Sequence, residues 1–393
     1  MSQTSQSTVF HSTFHSTIPP KYVITFWKGR VALYGALKSL GIGPGDSVIV
    51  PGYTCAMVPA AVVFLGSKPI YADIDPRIYS PSLGSYSDAF EANPRARIKA
   101  LILQHTYGIP GDSIQIAAWA RAQGMAVIED CAHSVGTRYC DERGTWQDVG
   151  NAGDVAIFSS QWSKPISTGL GGWAVTRNKN LAGRIARFCE EECCNPSARE
   201  VSFLAGQLLG RSFASSPRSY WMAAEVFRRL ARMGLFIGTN DEGEFEGKMP
   251  ERYAKKMSAL QEWLLRKRMT STALLVRRRN LKRVYDQALQ SSGFPVLHAA
   301  AYADPVLLRY PIRVRNKAEV ISKAQKHHIE LGDWFNHPLH PREANAEAFG
   351  YRFGSCKEGE RAADEVVNLP MSERTTEKIA RRAVEFLKQV AEI

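Results

Sequence analysis

The chain has 393 residues, of which 45% are apolar and 22% charged, and this composition is ordinary for a globular enzyme of two domains. No apolar run approaches the ~20 residues that a membrane-spanning helix needs, and seven scattered cysteines favour a reduced cytoplasmic protein over a disulfide scaffold. The net charge of +12 favours anionic partners, namely nucleoside diphosphates, nucleic acid or an anionic membrane surface, and nucleic acid ranks last because no nucleic-acid motif is visible.

The first eight residues are polar and show no signal-peptide pattern, and residues 1–25 are predicted to form an N-terminal tail. A β-rich run at 22–27 leads into a helix whose apolar residues 33, 36, 37 and 40 have helical spacing. Gly29 stands at the start of this helix. Free backbone N–H groups at such a start can bind an anion.

Apolar strands are predicted at 47–51, 68–75 and 100–105, with helices at 52–64 and 114–123 between and after them. Strands that alternate with helices in this way predict a mostly parallel sheet with crossover connections. Ligands of such sheets bind beyond the carboxyl ends of the strands. Four polar side chains, Asp130, His133, Ser159 and Lys164, fall at or just after two later strand ends.

The stretch 126–175 carries the clearest chemical signal. One apolar strand ends in Asp130, a second is followed by Lys164, and a glycine-rich turn at 169–172 leads into a third strand. A carboxylate and a lysine at neighbouring strand ends are what a pyridoxal phosphate site needs, because the lysine attaches the cofactor aldehyde as a Schiff base and the carboxylate keeps the pyridine nitrogen protonated. Either residue alone would more often be a cap or a solvated side chain.

This stretch resembles the DegT-type sugar aminotransferases, a branch of the fold-type I pyridoxal-phosphate enzymes. The motifs are Glu129-Asp130-Cys131-Ala132-His133, Phe158-Ser159 to Lys164, and Gly169-Leu170-Gly171-Gly172. The resemblance covers roughly 26–387, except a middle segment. It implies an α/β fold, with a large cofactor domain (26–250) around a mostly parallel sheet and a linking helix plus small α+β C-terminal domain (251–393).

The resemblance also implies roles for individual residues. Lys164 is the implied catalytic residue. The implied cofactor-binding residues are Lys164, Asp130, His133, Ser159, Gly29, Arg30 and Cys55, where Lys28-Gly29-Arg30 replaces the family's S-G-T and Cys55 takes an aromatic place. The implied substrate-binding residues are His340, Trp334, Tyr107 and Lys256, the last of which would reach the other subunit of a homodimer. No metal site is predicted, because Cys189, Cys193 and Cys194 lack partners at ligand spacing.

Two segments depart from a simple match. The segment at about 195–250 is unlike the family and is predicted to be a helical insertion, with helices at 203–211 and 220–236. The second of these has basic and apolar faces, which allows either peripheral membrane contact or packing on the body or a second subunit. A long basic helix carrying Arg266 to Arg283 is expected to present a solvated face.

The sequence therefore predicts transfer of an amino group, by family habit from L-glutamate, onto a keto-sugar carried by a nucleotide. Two alternatives stay open. One is amination of a ketocyclitol or a lipid-linked keto-sugar, and the other is a pyridoxal-phosphate-binding regulator without turnover, which the altered residues Arg30, Cys55 and Ala254 motivate.

Overall fold

A computed structural model describes residues 22–141, 143–213, 240–241, 243–297 and 302–393 of the chain. Its centre is a seven-stranded sheet in the order β1-β10-β9-β6-β5-β2-β4. These strands are β1 (Tyr22–Phe26), β2 (Asp46–Pro51), β4 (Lys68–Ala72), β5 (Arg97–Gln104), β6 (Ala126–Asp130), β9 (Val155–Ser159) and β10 (Gly172–Thr176). β10 pairs antiparallel with both neighbours and the remaining pairs are parallel, so the predicted α/β fold with a mostly parallel sheet is confirmed.

Helices cover both faces of this sheet. Those before the C-terminal part are α1 (Gly29–Ser39), α2 (Met57–Val63), α3 (Leu83–Glu91), α4 (Ser113–Ala122), α5 (Lys179–Glu191) and α6 (Ala198–Phe213). Buried residues of α1, α2 and α5 form one apolar cluster with the strands, and those of α3 and α4 form another. Apolar clusters on both faces explain why the central strands are near-continuous apolar runs.

The C-terminal part packs as a smaller α+β unit. Its helices are α7 (Ala259–Met269), α8 (Ala273–Ser291), α9 (Lys317–Lys326), α10 (Lys357–Glu365) and α11 (Glu377–Val390), and its antiparallel strands are β12 (Tyr310–Arg313) and β14 (Val366–Leu369). Side chains of α8 to α11 share one apolar cluster with both strands. That cluster extends to Tyr53, Tyr107 and Phe335, so the core of the small unit reaches the edge of the large one.

Short strands complete the connections. β3 (Thr54–Cys55) pairs in parallel with β13 (Leu339–His340), while β7 (Arg138–Cys140) pairs with β8 (Trp146–Asp148) and β11 (Ala303–Asp304). The helix expected from 52 therefore begins only at Met57, because Thr54 and Cys55 are in strand pairing.

The prediction of one long basic helix with a solvated face is wrong in two respects. It is two helices, α7 and α8, which are interrupted at 270–272 by Thr-Ser-Thr, residues with low helix propensity. Arg278 does not lie on a solvated face, since it is 5% exposed and its guanidinium donates to the carbonyls of Leu307 and Leu308 at 2.7 and 3.1 Å. The arginine thereby joins α8 to the chain that enters β12.

Two predicted segments lie outside the described residues. They are the N-terminal tail up to residue 21 and the amphipathic helix at 220–236. The first helix of the middle segment is confirmed as α6. Among the helices of the described residues, none combines the length and the apolar character that crossing a bilayer requires.

Glu129 fixes the loop beneath β6. Both oxygens of its fully buried carboxylate accept hydrogen bonds, from His105 Nε2 at 2.9 Å and from the N–H groups of Gly150, Ala152 and Gly153 at 2.6, 2.9 and 3.1 Å. The ligand atoms of His105, Glu129 and Cys131 are close enough to hold a metal ion. Four donors already occupy the carboxylate, however, and we interpret the cluster as structural.

Glu129→Gln is expected to lower the free energy of unfolding by about 2–4 kcal/mol, because the amide N–H groups would face backbone donors. Burial raises the pKa of Glu129, but the bonds from His105 and the loop outweigh it and the pKa is lowered below 4.5. The contribution is therefore present above pH 4.5 and is lost as the pH falls through the folded-state pKa. Urea unfolding at pH 7 and pH 4 measures both effects, with exposed Glu191→Gln as control; equal stability of both variants at pH 7 would contradict the assignment.

Candidate active site

A cavity of ≈ 190 Å³ lies at the carboxyl ends of the parallel strands. It gathers nine of the residues that the sequence singles out, namely Gly29, Arg30, Cys55, Asp130, His133, Ser159, Lys164, Trp334 and His340. β6, β9 and the start of α1 supply one side, and the 333–341 stretch of the C-terminal part supplies the other. The cavity therefore forms only where the two parts of the chain meet.

Asp130 and Lys164 share this cavity. Asp130 is the last residue of β6, and its Oδ1 accepts from the N–H of Ala132 at 2.9 Å. Burial raises the pKa of Asp130, although the Ala132 N–H, Lys164 and His105 oppose the shift. Lys164 follows β9, and burial lowers the pKa of its amine to about 8, while Cys55 and Asp130 act in the opposite direction. A lysine that loses its proton this readily is suited to attack an aldehyde.

This pKa predicts how the rate of aldehyde capture by Lys164 depends on pH. The neutral fraction of an amine with a pKa of about 8 rises about tenfold between pH 7 and pH 9 and then levels off. An ordinary lysine would show no levelling before about pH 10. Visible absorbance measures the rate at which cofactor-free protein captures pyridoxal phosphate from pH 6 to 10. The rate at each pH is divided by the rate for N-acetyl-lysine methyl amide, which represents an ordinary lysine. The ratio is expected to be constant below about pH 8 and to fall above it, and a ratio that stays constant up to pH 10 would contradict the assigned pKa.

An aromatic wall faces the lysine. The centroid of the Trp334 ring lies 4.9 Å from Lys164 Nζ and 5.1 Å from the guanidinium carbon of Arg309. His133 packs against Trp334 and Phe335 at ring separations of 5.1 and 5.8 Å. A planar cofactor ring between Asp130 and Lys164 would thus meet aromatic surface although Cys55 has none. Tyr53, two residues before Cys55, is buried in the core of the small unit and does not line the cavity.

The histidines of the site are neutral at pH 7. Burial and the nearby cations Lys164 and Arg309 hold the pKa of His133 well below its usual range, and burial lowers that of His340 to about 4. The N–H of Tyr107 donates to His133 Nδ1 at 3.2 Å, so the His133 proton resides on Nε2. His133 can therefore donate one hydrogen bond without adding charge.

The start of α1 forms one end of the cavity. Lys28 stands at the cap position, and its side chain offers no acceptor for the first N–H groups, which leaves the positive end of the helix toward the cavity. A Cβ on Gly29 would lie 3.0 Å from the Cβ of Ser159, and a Cβ on Gly172 would overlap the Cα of Gly29. The glycines therefore let α1, β9 and β10 approach closely enough for Gly29 and Ser159 to share one anion.

Arg30 lines the same end of the cavity, but its guanidinium has other partners. Its Nη1 contacts Glu244 Oε2 at 2.5 Å and Met57 Sδ at 2.8 Å, and its Nη2 donates to Asn240 Oδ1 at 2.7 Å. Lys28 Nζ pairs with Asp241 Oδ2 at 2.6 Å. The end of the divergent segment is thereby fixed over the start of α1.

Cys55 and His340 come from opposite ends of the sequence and lie side by side. They are paired residues of β3 and β13, and both line the cavity. The strand β3 is held in turn by Gln104, whose side chain bonds Thr54 Oγ1 and the carbonyl of Tyr53, the latter at 3.1 Å. Gln104 also lines the cavity, at the end of β5.

Tyr107 lies behind the wall rather than in the cavity. Its hydroxyl donates to the carbonyl of Trp334 at 2.7 Å and accepts from the N–H of Phe335 at 3.1 Å. Asn368 Oδ1 accepts from the Trp334 N–H at 2.9 Å, and Lys317 Nζ donates to the Phe335 carbonyl at 3.4 Å. Tyr107 therefore orients Trp334, and its predicted contact with substrate stays a prediction.

Lys256 also lies outside the cavity of a single chain. It forms an isolated bridge with Phe26, and its N–H donates to the carbonyl of Cys194 at 3.0 Å. Its predicted reach into a second subunit stays a prediction.

Several cavity residues were missed by the sequence reasoning. They are Lys28, Gln104, Gln161, Asn240 and Phe245. Lys28 and Gln161 belong to motifs that were already quoted, so their positions were available. Asn240 and Phe245 lie in the segment that is unlike the family, and no pattern there indicates a site.

A family model described as the DegT/DnrJ/EryC1/StrS aminotransferase family matches residues 1–211 and 223–388. The protein MosB of Rhizobium meliloti is 40% identical over 45% of this chain and 33% of its own length. A UDP-N-acetyl-3-dehydro-alpha-D-glucosamine 3-aminotransferase of Acidithiobacillus ferrooxidans is 39% identical over 40% of each chain. An L-glutamine:2-deoxy-scyllo-inosose aminotransferase of Streptoalloteichus tenebrarius is 32% identical over 54% of this chain and 50% of its own. The chain thus matches between one third and one half of the length of these relatives.

A longer match at lower identity exists as well. A protein of Geobacillus stearothermophilus named pleiotropic regulatory protein is 26% identical over 94% of this chain and 86% of its own.

Solved structures share the fold. A DegT/DnrJ/EryC1/StrS aminotransferase from Brucella abortus superimposes with a TM-score of 0.70 at 20% identity, over 94% of this chain and 85% of the other. NtdA of Bacillus subtilis, solved with bound cofactor PMP, gives 0.65 at 21% identity over 94% and 74%.

The cofactor that this family implies is pyridoxal 5′-phosphate, and the cavity residues fit it. Lys164 has a lowered pKa for the aldehyde, Asp130 is a buried carboxylate for the ring nitrogen, and the glycine cradle at the start of α1 suits the phosphate. The chain belongs to the DegT/DnrJ/EryC1/StrS aminotransferase family, fold-type I proteins whose cofactor is pyridoxal phosphate.

Proposed function

We propose that the protein transfers an amino group from L-glutamate to a keto-sugar carried by a nucleotide. The observation that carries the proposal is the meeting of Lys164 and Asp130 in one cavity, with the start of α1 at one end and Trp334 and His340 opposite. A lysine and a carboxylate alone would serve many reactions. Together with the start of α1, however, they provide one partner each for the aldehyde, the ring nitrogen and the phosphate of pyridoxal phosphate.

Pyridoxal phosphate, when bound, supplies an electron sink that stabilises negative charge on the amino-bearing carbon. Lys164 would hold the cofactor covalently and, once displaced by the amino donor, would move the proton between donor carbon and cofactor carbon. Asp130 would keep the ring nitrogen protonated. His133 would donate from Nε2 without adding charge, and Gly29 and Ser159 would bind the phosphate.

The proposal for a nucleotide-linked substrate rests on two supports. The net charge of +12 favours an anionic ligand, and one relative is named for a UDP-linked keto-sugar. His340 and Trp334 are the side chains of the described cavity best placed to contact the sugar, because they lie opposite Asp130 and the start of α1.

A two-step spectroscopic experiment tests donor and acceptor separately. L-Glutamate added to the yellow holoprotein is expected to remove the visible band and to release one 2-oxoglutarate per chain. A UDP- or GDP-linked keto-sugar is then expected to restore the band. Lys164→Ala serves as the control. Restoration by a free ketose but by no nucleotide sugar would contradict the nucleotide carrier.

A ketocyclitol is the second candidate acceptor, since one relative is named for an inosose with L-glutamine as donor. The same experiment with L-glutamine and 2-deoxy-scyllo-inosose distinguishes it. If L-glutamine removes the visible band and L-glutamate does not, L-glutamine is the amino donor in place of L-glutamate. A lipid-linked keto-sugar rests on the predicted helix at 220–236, and sedimentation with anionic liposomes at low salt tests that contact.

A regulator without turnover is the third candidate, because a relative matched over 94% of this chain carries a regulatory name. A yellow protein whose band resists every amino donor would favour it. Release of 2-oxoglutarate would remove it.

A homodimer is also proposed. Leu209 of α6 and Trp263 of α7 are large apolar side chains that remain 65% and 56% exposed in the single chain. Light scattering after gel filtration at micromolar protein measures the mass, and a single chain of 43.7 kDa would contradict the dimer.

A further inference from the structure

The start of α1 carries two ion pairs that differ in character. Lys28 and Arg30 flank Gly29, and their partners Asp241 and Glu244 lie three residues apart, more than 200 positions later in the chain. The Arg30 pair is enclosed, with side chains 10% and 0% exposed, and Asn240 and Met57 add further contacts to Arg30. The Lys28 pair joins a buried ammonium, 8% exposed, to a carboxylate that is 40% exposed.

This difference decides which pair can exchange its partner. Separating Arg30 from Glu244 would leave a fully buried carboxylate without its cation, which is costly. Asp241 can return to water at little cost, because much of its carboxylate is already hydrated. Lys28, in contrast, keeps its charge in this buried position only beside an anion.

Lys28 also lies where an anion is expected. It lines the cavity directly beside Gly29, at the end formed by the start of α1 and Ser159. Burial and Arg30 lower the pKa of Lys28, while Glu244 and Asp241 raise it, so the protonated state depends on carboxylates nearby. A phosphate dianion at this place would replace the charge that Asp241 supplies.

We propose that Lys28 binds a phosphate dianion in this cavity, and that Asp241 pairs with Lys28 until the phosphate displaces the Asp241 carboxylate. The phosphate that fits first is the cofactor's own, since Lys28, Gly29 and Ser159 line the same cavity as Asp130 and Lys164, the proposed partners of its ring and aldehyde. The diphosphate of a nucleotide sugar has the same chemistry and is the other source. The inference rests on the cofactor assigned to the family and is independent of the proposed substrate.

Because the phosphate and Asp241 compete for Lys28, substitutions at Lys28 and at Asp241 are expected to change the affinity for pyridoxal phosphate in opposite directions. Lys28→Met removes the cation and is expected to weaken pyridoxal phosphate binding by about tenfold or more. Asp241→Asn removes the competitor and is expected to strengthen it by about threefold to tenfold. Pyridoxal, which lacks the phosphate, is expected to bind all three proteins alike. A merely structural ion pair would instead weaken binding in both variants and for both ligands.

The experiment is a titration of cofactor-free full-length chain with pyridoxal phosphate and with pyridoxal, followed by visible absorbance. The matched controls are Lys38→Met and Glu192→Gln, an exposed lysine-carboxylate pair on α1 and at the end of α5, which are expected to change neither affinity. Lys28→Arg is expected to restore most of the phosphate-dependent affinity. Circular dichroism checks the fold, and if Lys28→Met fails to fold, the sign of the Asp241→Asn effect decides alone.

Outcomes for the two phosphate sources differ. Calorimetry measures UDP binding to the holoprotein. If Lys28→Met weakens UDP binding but leaves the affinity for pyridoxal phosphate unchanged, Lys28 binds the substrate. That result overturns the assignment of Lys28 to the cofactor phosphate. Unchanged affinities for both ligands in Lys28→Met, or weaker pyridoxal phosphate binding in Asp241→Asn, overturn the proposal altogether.

Discussion

Lys164→Ala is expected to abolish covalent capture of pyridoxal phosphate and to lower the rate of amino transfer by about 10³-fold or more, because one side chain both holds the cofactor and moves the proton. The visible band of the holoprotein should shift to that of unattached cofactor. Single-turnover amino transfer with L-glutamate, measured as 2-oxoglutarate, gives the rate. Phosphate-dependent cofactor binding should persist, since Gly29, Ser159 and Lys28 are unchanged.

Lys38→Ala is the matched control, because Lys38 is an exposed lysine of α1 that pairs with Glu192 outside the cavity, and its removal should leave the band in place. A Lys164→Ala protein that keeps the attached-cofactor band would show that another amine carries the cofactor. That result would overturn the assignment of the site as a whole.

Asp130→Asn is expected to lower the rate of amino transfer by about 10²- to 10³-fold while cofactor binding and attachment remain. The neutral amide cannot stabilise a protonated ring nitrogen, so the cofactor loses its electron sink although Lys164 is intact. Burial raises the pKa of Asp130, so a positive ring nitrogen is the partner that would keep the carboxylate ionised.

The readout is again single-turnover 2-oxoglutarate formation, with cofactor content measured beside it. Asp130→Glu keeps the charge and should retain more activity than Asp130→Asn. Equal losses in both variants would indicate that packing at the end of β6, rather than charge, explains the effect.

The meeting of Asp130 and Lys164 in one cavity was predictable, because each residue follows directly from a recognisable apolar strand. Asp130 ends an apolar strand and Lys164 follows another, and parallel strands bring their carboxyl ends to one edge of a sheet. The glycines at 169–172 were visible as a turn, and the structure adds that Gly172 makes room for Gly29.

Contacts between distant parts of the chain were not predictable in this way. Nothing in the sequence shows that Lys28 meets Asp241, 213 residues away in a segment without a recognisable pattern. The burial of Arg278 was missed for a related reason, since helical spacing alone cannot reveal that two carbonyls of the following chain accept from it. Tyr107 stands beside His133, but only the tertiary structure shows its hydroxyl turned to the backbone of Trp334.

The pairing of β3 with β13 has a consequence for the newly made protein. Cys55, Asp130 and Lys164 leave the ribosome long before His340, whose strand completes the far side of the cavity. The burial that lowers the pKa of Lys164 therefore depends on residues that are synthesised last, among them Trp334 and His340. A chain that ends before β13 is expected to leave this amine more hydrated, with a pKa nearer to that of an ordinary lysine.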